Sequence, residues 1–557
     1  MKRNERLIYV PLGGAGEIGM NMYLYGVGEP DAENFIMVDA GVTFPDMETS
    51  PGVNLITPDD EFVKNNLERL CGIFISHAHE DHVGAVANLY GHTDVPIFSR
   101  KFTGEIIRNK LGNLGIDDSK LNIVDSFPQK VSVNCFEVSF IPIPHSVPES
   151  SCILIETAQG NIFHSGDFKI DHNPVIGDSI DYQLIKKATS NNILALMCDS
   201  TNVFSKHSGR SESLLNENFD DLFLNSRGLV VATTFASNLA RLKTIAVAAK
   251  NNGREICVLG RAMNSMLKAA QSVGILKDFP GLISPKEAKK IPRERLLILA
   301  TGSQGEDRAA SAQLSYSGYM NFTLGEGDTF VFSSKTIPGN EVSVTAIVNR
   351  FVERGVEVIY EDNDKFHVSG HPNEPDLKKM HEIICPKSVI PIHGEFRHLK
   401  AHCDLAREGG YDSMVVPNGK IIEITENGVK SVGQVPSGRL YLDGSQLVVS
   451  NSKVISDRLK LAKNGICIVS IIIDESDSIY GSVWVETIGI PWSEEVSDLD
   501  GVIEEGLNHG LESLRELNLS DDNEIETFIK SYLNKAYIKK VGKKPFIKVL
   551  ISRMASD

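Results

Sequence analysis

The chain of 557 residues has few cysteines and no long hydrophobic run. Its eight cysteines include no C-x-x-C pair and no clustered spacing. A disulfide framework and a cysteine zinc site are therefore disfavoured, and buried free thiols are expected. No apolar run approaches the ~20 residues needed to cross a bilayer, and the start lacks the apolar core of a signal peptide. We expect a cytoplasmic protein with no membrane contact.

Positive charge is also in short supply. The 56 Lys and Arg residues stand against 73 Asp and Glu, for a formal net charge of −17. This excludes a protein coated in basic surface but not a nucleic-acid partner, since such binding needs only a local positive groove. The composition is otherwise ordinary for a globular protein, and the length predicts two to four domains.

The predicted secondary structure changes along the chain. The first ~200 residues read as short strands broken by Gly, Pro and Asp. From residue 227 strands alternate with helices, which predicts a parallel, doubly wound α/β unit. The predicted elements include strands at 228–233, 388–393 and 465–473 and helices at 237–250 and 395–408.

One short segment carries the clearest chemical signal. An apolar strand runs into three histidines and an aspartate, His77, His79, Asp81 and His82. Because strand side chains alternate, His77 and His79 project to the same side, and a turn into a helix carries the other two to a second point. Imidazole and carboxylate suit Zn²⁺ or another divalent metal, and four such ligands serve two adjacent ions better than one.

This H-x-H-x-D-H segment resembles the signature of the metallo-β-lactamase superfamily, an αββα sandwich that holds two metals at one edge. Three further segments match in order. Asp39 in Met-Val-Asp-Ala-Gly resembles the superfamily's buried aspartate that orients ligands. His145 resembles the third ligand of the first ion, and Asp167 resembles the carboxylate that bridges both ions.

A long insertion separates Asp167 from the expected last ligand, and it resembles that of the β-CASP subfamily, whose members act on nucleic acids. Asp199 in Cys-Asp-Ser-Thr-Asn, His371 in His-Val-Ser-Gly-His and His393 in Ile-His-Gly-Glu resemble the three additional motifs of that subfamily. A histidine at the third motif is the pattern of RNA-processing members.

Within the subfamily the chain is similar nearly end to end to the bacterial ribonuclease J family. The resemblance implies an α/β fold: a metallo-β-lactamase αββα sandwich, an inserted doubly wound β-CASP α/β domain and a small C-terminal α/β domain. The expected boundaries are 1–204 and 367–449 for the two parts of the sandwich, 205–366 for the insert, 450–460 for a linker and 461–557 for the C-terminal domain.

The same resemblance implies the metal ligands and the catalytic groups. Two Zn²⁺ ions per subunit are expected, with Mn²⁺ or Mg²⁺ as alternatives. One ion would be held by His77, His79 and His145 and the other by Asp81, His82 and His393, with Asp167 bridging them. The expected catalytic residues are Asp81, His371 as the general acid for the leaving 3′ oxygen, and Asp199 as its orienting carboxylate.

Substrate binding is expected at two loops. The first comprises His367, Val368, Ser369, Gly370 and His371, which resemble the family's substrate-binding stretch. The second carries Ser303 and Gln304, which follow a predicted strand and open a predicted helix, a natural anion site. We expect the pocket for a terminal 5′-phosphate between these loops.

The implied function is that of a metal-dependent ribonuclease on single-stranded RNA. The resemblance implies 5′→3′ exonuclease activity on 5′-monophosphorylated RNA together with endonuclease activity, giving 5′-phosphate and 3′-hydroxyl products. It further implies a role in rRNA processing and mRNA decay, a homodimer or homotetramer, and a place in an RNA-degradation assembly.

Two other classes are weighed against this interpretation. A small-molecule hydrolase on the same sandwich, such as a thioesterase or lactonase, would need neither the insert nor the histidines at 371 and 393. A binding or scaffold protein would not need the complete set of ligands. Four basic residues of the insert could line an RNA groove, although solvated side chains are the plainer interpretation: Lys206, Arg210, Arg241 and Lys243.

Overall fold

The structure is a computed structural model that describes residues 5–46, 48–337, 339–360, 363–491, 499–513 and 520–554. The chain forms two compact units. The first comprises Ile56–Arg439 and the N-terminal stretch up to Thr43, and the second comprises Phe44–Leu55 and the chain from Leu440 onward.

Two mixed β-sheets that share one apolar core form the larger part of the first unit. The eight-stranded sheet has the spatial order Gly428–Gln434, Lys420–Thr425, Arg6–Gly13, Met22–Gly28, Asn34–Val38, Leu70–Ile75, Ile97–Ser99 and Leu121–Ile123. The seven-stranded sheet has the order Asp412–Ser413, Ser388–Ile392, Ile193–Asp199, Gly160–His164, Ser151–Thr157, Phe136–Pro142 and Val131–Val133. The expected metallo-β-lactamase sandwich is confirmed.

Helices cover the sandwich, and a second apolar cluster packs several of them against the seven-stranded sheet. The helices of this part are Glu61–Lys64, Glu80–Val83, Lys101–Asn113, Tyr182–Ala188, Glu374–Ile384 and Phe396–Glu408. The central strand Ile193–Asp199 is buried along its whole length, as a parallel strand covered on both faces must be. Asp199 is the last residue of this strand, so the surrounding sheet holds its backbone firmly in place.

The insert is a six-stranded sheet whose strands are all parallel. The spatial order is Leu282–Ile283, Glu255–Leu259, Leu296–Ala300, Val230–Thr233, Thr329–Phe332 and Glu357–Ile359. Its helices are Leu215–Asn225, Leu239–Asn251, Arg261–Ser272, Pro285–Ala288, Ala310–Tyr316, Glu341–Glu353 and Asn363–Phe366. The predicted doubly wound α/β unit is confirmed, because the later strands of this parallel sheet lie on both sides of the first one, Val230–Thr233.

The second unit contains a β-hairpin and a small α/β domain. The hairpin pairs Arg439–Asp443 with Gln446–Val449, and the domain has the strands Trp484–Ile488, Ile466–Ile473 and Phe546–Arg553 with the helices Leu499–Ser513 and Asp522–Val541. Most of the stretch predicted as a linker, 450–460, is helical, because the helix Lys453–Asn464 begins at its fourth residue. Ile455 of that helix is buried. Among the described residues no helix is long and apolar enough to span a bilayer.

Candidate metal centre

The histidine segment lies between a strand and a short helix. The strand Leu70–Ile75 ends just before it, the backbone stays extended at His79, and the helix Glu80–Val83 begins at the next residue. His77 Nε2 and His79 Nδ1 are 3.1 Å apart. The two rings thus share one side of the chain, as the alternation of strand side chains predicts.

A third imidazole completes this group from the loop after the strand Phe136–Pro142. His145 Nε2 lies 3.1 Å from His79 Nδ1, and its Nδ1 donates to the Gly370 carbonyl at 2.7 Å. Two imidazoles on one tetrahedral zinc, with bonds of about 2.0–2.1 Å, place their nitrogens ~3.3 Å apart. The three nitrogens therefore have the spacing of ligands around a single ion.

Burial keeps these three imidazoles neutral. It lowers the pKa of His79 to about 4 and lowers the pKa of His77 and His145 well below the ordinary value. A neutral imidazole offers the lone pair that a metal ion needs. The first group is thus prepared to bind a cation rather than to carry a proton.

A second group holds two carboxylates and two imidazoles. His82 Nε2 lies 3.2 Å from Asp167 Oδ2, and His393 Nδ1 lies 2.8 Å from Asp167 Oδ1. His393 Nε2 is also 3.3 Å from Asp81 Oδ2, but this buried nitrogen makes no hydrogen bond. Four ligand atoms of these residues lie within 4.8 Å of one another.

The carboxylates of Asp81 and Asp167 give this second group a negative electrostatic potential that favours positive charge. Burial alone lowers the pKa of both histidines, but Asp167 and Asp81 outweigh it, raising the pKa of His393 to about 10 and that of His82 well above its ordinary value. The imidazoles thus retain protons in the place where a divalent cation would supply the charge. The donor set fits a metal ion.

Asp167 joins the two groups. A ring nitrogen lies within 3.8 Å of its carboxylate from each of His77, His82, His145, His371 and His393. These residues come from distant parts of the chain. The shared carboxylate and the adjacent ligand groups both fit two neighbouring cations.

Asp39 lies behind this cluster. Its carboxylate accepts hydrogen bonds from the Ser76 amide and hydroxyl at 2.7 and 2.8 Å and from His82 Nδ1 at 2.7 Å. The last contact leaves His82 Nε2 as the ligand atom. Asp39 has a φ of +64°, a backbone conformation that residues other than glycine rarely adopt.

His371 stands at the edge of the cluster with a carboxylate of its own. Its Nδ1 lies 2.8 Å from Asp199 Oδ2 and 3.8 Å from Asp167. The side chain is 23% exposed, so its other nitrogen can reach a substrate. This arrangement suits a group that moves a proton.

The segment before His371 is held by several polar contacts. Asn202 Nδ2 donates to Ser369 Oγ at 2.7 Å, and the His371 amide donates to the same oxygen at 3.1 Å. A Cβ added to Gly370 would lie 2.9 Å from His145 Cε1 and 3.0 Å from Ser146 Oγ. Only glycine allows the backbone to approach the metal centre this closely.

Gln304 lies at the end of the insert strand Leu296–Ala300, beside Ser303. Its amide nitrogen donates to the Lys335 carbonyl at 3.0 Å, and its amide oxygen accepts from the Ile337 amide at 2.8 Å. The Gln304 side chain is thus engaged in holding the loop at 335–337, and its role in phosphate binding stays a prediction. For Ser303, which is buried, that role stays a prediction.

Arg241 differs from both sequence interpretations, since it is neither in a groove nor solvated. Its side chain is wholly buried and pairs with Glu212, and it donates to the carbonyls of Ser333, Phe366 and Val368 at 2.8, 3.2 and 3.3 Å. A buried guanidinium is stable here because five N–H groups find acceptors. Arg241 thereby ties the insert to the stretch that begins at His367.

Asn21 was missed by sequence reasoning. Its side-chain nitrogen lies 3.0 Å from His82 Nε2 and 3.3 Å from Asp81 Oδ2, and its oxygen accepts a 2.6 Å hydrogen bond from Tyr23. An isolated asparagine after a glycine-rich segment does not indicate a place beside the metal ligands, because Asp81 and His82 are about 60 residues away in sequence.

Four family models match successive parts of the chain. They are the metallo-beta-lactamase superfamily at 17–195, the beta-CASP domain of ribonuclease J at 227–351, the Zn-dependent metallo-hydrolase RNA specificity domain at 355–417 and the ribonuclease J C-terminal domain at 453–554. A solved protein of unknown function from Enterococcus faecalis V583 has a similar fold, with a TM-score of 0.52 and 15% identity over 75% of this chain and 100% of that chain. Fold and site thus define a metallo-hydrolase of the metallo-β-lactamase superfamily with a β-CASP insert.

Relatives cover nearly the whole chain. Ribonuclease J of Sinorhizobium meliloti is 34% identical over 100% of this chain and 98% of its own length. Ribonuclease J of Helicobacter pylori is 32% identical over 96% and 78%, and ribonuclease J2 of Bacillus subtilis is 33% identical over 85% of each. The chain belongs to the ribonuclease J family and is a ribonuclease.

Proposed function

We propose that the chain hydrolyses single-stranded RNA as a 5′→3′ exonuclease on 5′-monophosphorylated ends and also as an endonuclease. The observation that supports this best is the convergence of five histidine rings on Asp167, one of which, His371, is bonded to a separate carboxylate. Four imidazoles suit the binding of cations, and the fifth suits proton transfer.

The proposed ligand sets divide at Asp167. His77, His79 and His145 would hold one ion, Asp81, His82 and His393 would hold the other, and Asp167 would contribute to both. Bound divalent cations, two Zn²⁺ or Mn²⁺ or Mg²⁺ in their place, would polarise water and neutralise the phosphoryl oxygens. Asp81 thus contributes to catalysis as a ligand, and Asp39 keeps His82 in the tautomer that binds through Nε2.

His371 is the proposed general acid. Asp199 holds its Nδ1, so its Nε2 faces the substrate and donates a proton to the leaving 3′ oxygen as the P–O3′ bond breaks. Water adds to phosphorus from the opposite side. The products are a 3′-hydroxyl on one fragment and a 5′-phosphate on the other.

The stretch from His367 to His371 is the proposed cradle for a terminal 5′-phosphate. Ser369 Oγ already accepts two hydrogen bonds, so its own hydrogen is directed to another acceptor. Val368 and Gly370 contribute backbone, and Ser303 is the proposed contact from the insert. A phosphate anchored at a set distance from the metal centre favours stepwise removal of nucleotides from the 5′ end.

The test is digestion of three RNAs of the same sequence, each labelled at the 5′ nucleotide. One carries a 5′-monophosphate, one a 5′-triphosphate and one a 5′-hydroxyl. We expect early release of labelled mononucleotide from the monophosphate alone, and its loss with chelator. Labelled fragments of many lengths from all three RNAs would instead show endonuclease activity only. An ester substrate turned over faster than RNA would overturn the proposal.

We also propose a homodimer or homotetramer that works in the cytoplasm in rRNA processing and mRNA decay, within an RNA-degradation assembly. Light scattering on the purified chain tests the assembly state against the 61.1 kDa of one subunit. A mass of one subunit at all concentrations would contradict it.

A further inference from the structure

A second cluster of ligand-type side chains lies in the interior of the sandwich and takes no part in the proposed reaction. Cys198 comes from the strand Ile193–Asp199, His381 from the helix Glu374–Ile384 and His402 from the helix Phe396–Glu408. One ligand atom of each lies within 4.8 Å of the others. All three residues are at most 2% exposed, and we call them the buried triad.

The two histidines of the buried triad face each other through the same nitrogen. His381 Nε2 and His402 Nε2 are 3.1 Å apart, the separation also found between His77 and His79 in the metal centre. Imidazoles on one ion place their nitrogens ~3.3 Å apart when the bonds are about 2.0–2.1 Å. Only a small adjustment is needed for an ion to enter between them.

The second nitrogen of His402 has a partner of its own. Ser200 Oγ lies 2.9 Å from His402 Nδ1. When Nδ1 donates to this hydroxyl, Nε2 presents a bare lone pair, as in metal-bound histidines oriented by a neighbouring acceptor. Burial lowers the pKa of His381 to about 4 and that of His402 well below its ordinary value, so both rings are neutral.

We propose that the buried triad binds one Cu(I) ion, separately from the catalytic metals. Thiolate and imidazole are soft ligands that suit Cu(I) or Zn²⁺. A monovalent ion on one thiolate leaves no net charge in this dry interior, whereas Zn²⁺ leaves an uncompensated positive charge. Structural zinc also takes four ligands, and the described residues offer only three Cys, His, Asp or Glu ligands here.

Binding requires one proton to leave. Burial raises the pKa of the Cys198 thiol well above its ordinary value, so the thiol releases its proton to solvent only as the ion binds. The hydrogen shared between the two Nε2 atoms moves to an Nδ1 position, so that both Nε2 atoms bind the ion. Cys385, one helical turn after His381, is an exposed thiol at the end of the same helix.

The test uses the full-length, zinc-loaded protein, reduced and kept free of oxygen, with Cu(I) delivered from a competing chelator. We expect wild type to retain one equivalent of Cu(I) and to release one proton per ion. Cys198→Ala and His381→Leu are expected to lose that equivalent. The matched control Cys257→Ala, which removes an equally buried thiol in the insert, should retain it.

X-ray absorption of the copper-loaded wild type tests the same site without a variant, which covers the case of a variant that does not fold. One sulfur and two nitrogen neighbours are expected. Equal retention in all four proteins, or a copper environment without sulfur, would show that the triad is a hydrogen-bonded cluster only. Retention of Zn²⁺ in its place would show that the assigned class of metal is wrong.

Discussion

The pair His371 and Asp199 is set up to keep a proton at neutral pH. Burial lowers the pKa of His371, but the carboxylates of Asp199 and Asp167 outweigh that effect and raise it. Asp199 is itself held by the Thr201 amide and hydroxyl at 2.9 and 2.7 Å. A general acid must carry its proton before it can give it away, and this environment meets that need.

We predict that Asp199→Asn lowers kcat by about 10²–10⁴-fold, the usual contribution of a positioned acid. The substitution removes a charge that raises the pKa of His371, so the acid loses its proton at lower pH. The alkaline limb of the kcat–pH profile should therefore move to lower pH. His371→Ala should remove this limb altogether at unchanged metal content. An alkaline limb in Asp199→Asn at the wild-type position would contradict the assignment.

Gly370 is the residue where the proposed phosphate cradle meets the metal centre, since its carbonyl accepts from His145. We predict that Gly370→Ala lowers kcat by about 10²-fold, because displacing a reacting group by ~1 Å costs that much. The new methyl would press on His145, so metal content measured after dialysis should fall as well. Gly281→Ala is the matched control, because its Cβ would meet nothing within 4 Å. Equal loss in both variants would argue against a specific effect.

At the scale of elements, the segment from Phe366 to His371 depends on a helix of the insert. Arg241 in the helix Leu239–Asn251 donates to two carbonyls of this segment, and Glu212 holds the guanidinium from the other side. The bonds leave the segment little freedom, so the position of the proposed acid is decided partly by the insert.

We predict that Arg241→Lys lowers kcat about 10-fold to 10²-fold, because the three N–H groups on the single nitrogen of lysine cannot replace the five of arginine, which also bond Ser333. Arg254→Lys is the matched control. Arg254 is equally buried and bonds the carbonyls of Ser226, Gly228 and Leu296, all within the insert. Both variants should lose about 1–3 kcal/mol of stability, but only the first should lose kcat per folded molecule. Wild-type kcat in Arg241→Lys would contradict this role.

The elements themselves followed well from local patterns. The helix predicted at 395–408 is Phe396–Glu408, and the strand predicted at 465–473 is Ile466–Ile473. Apolar periodicity and turn residues carry that information within a few neighbouring residues. The burial of Arg241 was not predictable, because its acceptors lie up to 127 residues away in sequence.

At the scale of the first unit, the predicted ligands extend from His77 to His393, so a bound ion joins segments that are far apart in sequence. A ligand that binds only the folded state stabilises it, by about 4 kcal/mol when its concentration is 1,000 times its dissociation constant. Metal and folded structure should therefore be thermodynamically coupled.

We predict that removing metal with a chelator lowers the Tm of the protein, and that added Zn²⁺ restores it. The same treatment should change the Tm of His77→Ala much less, because that variant already lacks a ligand. Calorimetry with and without chelator measures both. A wild-type Tm that does not respond to chelator would contradict a resident metal at this site.

The sequence by itself determined the class of the protein, because the H-x-H-x-D-H segment and the motifs around Asp167, Asp199, His371 and His393 are local patterns of ligand-type residues. Tertiary structure alone decided which residues meet: Asn21 with His82, Arg241 with the segment from Phe366 to His371, and Cys198 with His381 and His402. Those contacts arise from packing between distant segments, and burial then changes the protonation and bonding of each group. A linear pattern does not contain that information.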